Sequence, residues 1–183
     1  LKIMKLKTNK ILFLLFIALA VTGCKKEENK PEEVEAKKAE VVTFTLNAIV
    51  KGDDDFQIFY KEDNSPGSAF SEESSVWVGV KGSETAQDIV FTMPEGVFPT
   101  QLRLDLGQKP QTEIVVNNFT AKYNTKTFEA KGPLFFEYFT PDENFVKFDK
   151  AALKVLPVIK DGKTDPMVYS HSSLDLELAK FVQ

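Results

Sequence analysis

The chain is poor in the residues that most often carry site chemistry. Its 183 residues include one cysteine, one histidine and one tryptophan. A single thiol excludes an intramolecular disulfide framework and any multi-cysteine metal site. The lone histidine, His171 in "YSHSSL", excludes metal sites built from two or three imidazoles. The sequence holds no phosphate-binding glycine loop, nucleophile elbow or zinc signature. No apolar run approaches the ~20 residues that a membrane-spanning helix needs. Nor is there a surplus of base: 23 Lys and Arg stand against 27 Asp and Glu, a formal charge of −4. Nucleic-acid binding calls for a basic patch, so that class is excluded.

What is present begins at the amino end. Lys5, Lys7 and Lys10 precede an uncharged apolar block, Ile11 to Val21. A basic start, a short apolar core and small residues before a cut site describe a secretory signal peptide, assigned to residues 1–23. Leu1 is an unusual initiator, and Met4 is a candidate start. The segment 24–40, "CKKEENKPEEVEAKKAE", has almost no large apolar side chain. It cannot bury enough surface to offset the entropy of ordering, and is expected to be a solvated tether.

Leu19-Ala20-Val21-Thr22-Gly23-Cys24 resembles the lipobox of bacterial lipoproteins. That resemblance implies a diacylglycerol on the Cys24 thiol, cleavage before it and acylation of the new amine. At roughly 0.8 kcal/mol per buried methylene, several such chains hold a domain at a membrane. Lys25-Lys26-Glu27-Glu28 resembles the surface-export signals of Bacteroidota lipoproteins, which favours the outer membrane and its outward face over the periplasmic one. The alternative for Cys24 is an incidental cysteine at the end of a signal peptide.

Residues 41–183 make one domain, long enough to bury a core to which the phenylalanines, 14 of the chain's 16, contribute. The dominant period is two. Val42, Phe44, Leu46, Ala48 and Val50 alternate with polar residues in "VVTFTLNAIV". "FQIFY", "SVWVGV", "DIVFTM", "QLRLDL", "EIVVNNF", "TKTFEA", "LFFEYF" and "LKVLPVI" continue the series, with Gly, Pro, Asn and Asp between them. The expected fold is all-β, an antiparallel jelly-roll sandwich with a short C-terminal helix. In that helix Ser172 is the expected cap, Asp175 follows three residues on, and Leu174, Leu178 and Phe181 share a face.

Phe56-Gln57-Ile58-Phe59-Tyr60, Gln87-Asp88-Ile89-Val90-Phe91 and Leu102-Arg103-Leu104-Asp105-Leu106-Gly107 followed by Ile114-Val115-Val116 carry a second resemblance. In these stretches the chain is similar to the galactose-binding-like, carbohydrate-binding-module type of jelly roll found in bacterial surface lipoproteins. The resemblance implies binding rather than catalysis.

Four residues are candidates for a ligand site. Trp77 lies out of phase with Val76, Val78 and Val80, so it faces away from the main core, and Tyr60 ends a strand nearby in sequence. Flat aromatic faces pack against the C–H side of a sugar ring. The competing reading covers Trp77 with a second layer and makes it core. Arg103 and Asp105 project together from a leucine strand; they can orient hydroxyls by charge-assisted bonds or pair with each other. "GDDD" and "TPDENF" are acidic loops, and a structural calcium there is the one cofactor the sequence leaves open, against plain solvated turns. His171 has no partner cluster around it in sequence and reads as a surface or cap-adjacent residue.

The expectation is a lipid-anchored, non-enzymatic binding domain with a glycan as favoured ligand. The alternative is a structural or assembly lipoprotein that binds another envelope protein, with a hydrolase third.

Overall fold

Strand β1 (Thr43–Val50) shows how this sequence builds its layers. Phe44, Leu46, Ala48 and Val50 are fully buried while the residues between them are half-exposed, as a strand with one covered face requires. The computed structural model describes residues 40–63, 68–111 and 113–182. The expected signal peptide, Cys24 and almost all of the expected tether lie outside the described residues.

The other strands are β2 (Asp54–Lys61), β3 (Ser75–Val80), β4 (Gln87–Thr92), β5 (Gln101–Asp105), β6 (Ile114–Tyr123), β7 (Lys126–Lys131), β8 (Phe139–Pro141), β9 (Val146–Asp149), β10 (Lys154–Pro157) and β11 (Met167–Ser170). Among the described residues there are also two α-helices, α1 (Phe135–Tyr138) and α2 (Ser172–Ala179). One sheet runs β4-β1-β6-β10-β9, with β7 added on β6; the other runs β3-β2-β5-β11-β8. All pairings between named strands are antiparallel. The result is an all-β sandwich with a short C-terminal helix, as expected. Compared rank by rank, the two orders set β4 with β3, β1 with β2, β6 with β5, β10 with β11 and β9 with β8, each a pair of strands consecutive in the chain.

The alternation read in "DIVFTM" and "QLRLDL" is borne out: Ile89, Phe91, Met93, Leu102, Leu104 and Leu106 are all buried. Three local readings need correction. "LFFEYF" is not a strand. Gly132, at φ 57°, and Pro133 open a turn of 3₁₀ helix that leads into α1, and only Phe139 begins β8. Phe135, Phe136 and Phe139 are buried together, a spacing that one helical turn brings to one side. In β6 the phase slips: Asn47 faces Asn118 but Ala48 faces Val116, so Asn117 is an extra residue. This bulge lets Ile114 and Val116 before it, and Phe119 and Ala121 after it, all point inward. Finally, α2 is capped by His171, not Ser172. His171 has extended backbone and its Nδ1 accepts from the Ser173 amide at 3.3 Å, while Ser172 is already helical. Leu174, Leu178 and Phe181 are buried as expected.

Candidate functional site

The outer face of the β3-β2-β5-β11-β8 sheet is where the candidate residues meet. On β3 the three valines turn toward the core, so Trp77 turns outward and is 52% exposed. The register sets its neighbours. Trp77 pairs with Gln57 of β2, Gln57 with Asp105 of β5, and Asp105 with Met167 of β11, making one row across the sheet. The adjacent row is Ser75, Phe59, Arg103, Tyr169 and Thr140. Trp77, Arg103 and Asp105 therefore share a face.

Tyr60 does not join them. It is buried in the core cluster with Phe56 and Ile58, because residues two apart on a strand share a side. Tyr60 and Trp77 lie on opposite faces of one sheet and cannot line one groove. The proximity of their strands in sequence says nothing about side.

Arg103 and Asp105 form a two-pronged pair, Nε to Oδ1 at 2.7 Å and Nη2 to Oδ2 at 2.8 Å. The guanidinium also lies 3.8 Å from the centroid of the Phe59 ring and 5.9 Å from that of Phe70. Phe70 in turn packs on Tyr169, with centroids 6.1 Å apart, and the Lys61 ammonium sits 4.5 Å from its ring centre. This stack holds the segment before β3 down on the sheet. Burial raises the Asp105 carboxyl above its ordinary range and outweighs the bonds and charge of Arg103; Asp165 and Glu72 push the same way. The pair is thus a fixed, half-buried part of the floor beside Trp77.

Gln57, Phe59, Phe70 and Tyr169 were not singled out from sequence. The only sequence signal is that "FQIFY" is apolar at four of five positions; in the structure Phe56 to Tyr60 are all buried. Such a strand must be packed on both faces. Gln57 meets the requirement for a buried amide by donating to Glu72 Oε2 and Ser75 Oγ, each at 2.9 Å.

The acidic loops are committed elsewhere. Asp53 pairs with Lys81 Nζ at 2.7 Å and accepts from the Gly82 amide. The Asp54 carboxylate accepts from the amides of Asp55, Gln108 and Lys109 and from Gln111 Nε2. Asp55 is exposed over Gly79, where a Cβ would sit 3.5 Å from its Oδ1. In the other loop Asp142 Oδ1 accepts from the backbone and side-chain amides of Asn144. Three successive aspartates thus point to three places. Among the described residues no group of three His, Cys, Asp or Glu converges as a metal site. His171 serves its helix: its Nδ1 lies 3.1 Å from Ser173 Oγ.

Compared with protein-family models, curated proteins and solved structures, the chain has no significant match.

Proposed function

We propose that the chain is a membrane-anchored lipoprotein whose sandwich is a non-catalytic binding domain for a glycan, held on the face that carries Trp77. The lipid on Cys24 would tie it to the outer membrane, with the cell surface favoured over the periplasmic side. The observation that carries the ligand reading is the exposure of Trp77, 52%, in a row whose next members are the amide Gln57 and the carboxylate Asp105. An open indole face at the edge of a polar row suits a ring that is apolar on one side and hydroxylated at its edge. Among the described residues the other exposed large apolar side chains, Val90, Leu134, Ile159, Leu176 and Val182, are far apart in the chain and none lies on the strand of Trp77, which favours a small ligand over a broad protein partner.

The test is a glycan array probed with the purified chain and with Trp77→Ala. Binding by the parent, lost in the variant with an unchanged melting temperature, supports the reading. Capture of an envelope protein through the same face, with no glycan bound, would replace it with the assembly role.

A further inference from the structure

We infer that the Trp77 platform takes a cationic, amine-bearing sugar rather than a neutral or acidic one. The inference rests on the glycan reading above and adds the charge of the ligand, from three observations about the ground beside the indole.

The first is Gly79. It follows Trp77 by two residues, so it lies on the same outer face, about 7 Å along the strand. It contributes no side chain there, and the floor next to the indole is open. The second is Asp55. It pairs with Gly79 across the sheet, and its Oδ1 lies 3.5 Å from where a Cβ of Gly79 would be. A carboxylate thus overhangs the gap that the glycine leaves. It is exposed and, among the described residues, accepts no hydrogen bond from the protein; the nearby Lys81 is bonded to Asp53, at 2.7 Å, and feels the charge of Asp55 more weakly. The third is the balance of charge around the row. Asp105 lies one strand beyond Gln57, and Glu72 and Asp165 act on it. Of the cations beside this platform, Arg103 is engaged on Asp105 and Phe59, Lys61 on the Ser68 carbonyl and the Phe70 ring, and Lys81 on Asp53.

An ammonium group is attracted to an indole face within about 6 Å of the ring centre, and a carboxylate at the edge of the same gap adds a charge-assisted partner. A sugar stacked on Trp77 with its amine toward Gly79 meets both. An N-acetyl group in that place brings no charge to Asp55, and a uronic acid is repelled by every free carboxylate on the face.

The experiment measures binding of the full chain, in weakly acidic buffer that keeps sugar amines charged. The probes are glucosamine oligomers, N-acetylglucosamine oligomers of equal length, oligogalacturonate and oligolysine. The expected result is binding of glucosamine oligomers that weakens with salt, about five- to tenfold weaker binding of the acetylated series, and none of oligogalacturonate. Asp55→Asn should bring the glucosamine series down to the acetylated value, and Trp77→Ala should remove both, with melting temperatures unchanged. Equal binding of acetylated or acidic oligomers through Trp77 would overturn the charge inference and leave the glycan reading standing. Glucosamine binding matched by oligolysine and indifferent to Trp77→Ala would be general attraction to an acidic protein and would overturn it too. Absence of any glycan binding, here and on the array, would remove the glycan reading and this inference together.

Discussion

Gly107 leaves no room for a side chain above the carboxylate of Asp54. A Cβ at position 107 would overlap both oxygens and the carboxyl carbon, and the residue holds φ 95°. The closeness has a purpose in the loop. Asp54 is buried, and the four donors that satisfy it include the amides of Gln108 and Lys109 just past the glycine. Gly107→Ala therefore meets backbone strain and a clash at once. Strain at such a φ costs about 1–3 kcal/mol by itself. Urea unfolding should show at least that loss, and a variant as stable as the parent would refute this view of the loop.

Leu104 is fully buried between the sheets, on a strand flanked by β2 and β11. Truncation to alanine removes apolar contact and leaves a cavity that the paired strands cannot close by collapse. Leu104→Ala should cost about 2–5 kcal/mol, measured by chemical denaturation. A loss well under 1 kcal/mol would mean that the site relaxes.

Asp175 gives a pH dependence of definite sign. Burial raises its carboxyl above the ordinary value, against the bonds from Ser170 and Gln101 that lower it. Its hydrogen bond from Ser170 Oγ is 2.6 Å long. A raised value in the folded state means that folding favours the protonated form. The contribution is fully present below the unfolded value, about 3.9 for aspartate, and is lost as pH rises through the higher folded one. Asp175→Asn keeps an acceptor for Ser170 but cannot ionise. The stability difference between parent and variant should therefore shift in the variant's favour as pH climbs out of that window. A difference that is flat, or that moves the other way, would contradict the burial argument.

The proposed localisation rests on Cys24. Cys24→Ala should abolish incorporation of labelled fatty acid and leave the protein unprocessed or released from the membrane fraction. Acyl labelling that persists in the variant would rule out the lipobox assignment.

The sequence by itself determined which segments alternate and which side of each strand is apolar. In β1, β4 and β5 every second residue is apolar, and one covered face is all the information such a strand needs. By the same reasoning Trp77, Arg103 and Asp105 were legible as outward residues. Only the tertiary structure decided which outward residues meet, because pairing between strands distant in sequence is set by packing of the whole core. That pairing put Gln57 between Trp77 and Asp105 and sent Tyr60 to the other side. It also decided the exceptions to alternation. Covered on both faces, Phe56 to Tyr60 have no polar face to read. An extra Asn117 in β6 shifts the phase midway, and the two turns of helix at Gly132–Tyr138 bury their phenylalanines in a run that reads as strand. In each case the local pattern is ambiguous because apolar residues satisfy either geometry, and the neighbouring layer selects one.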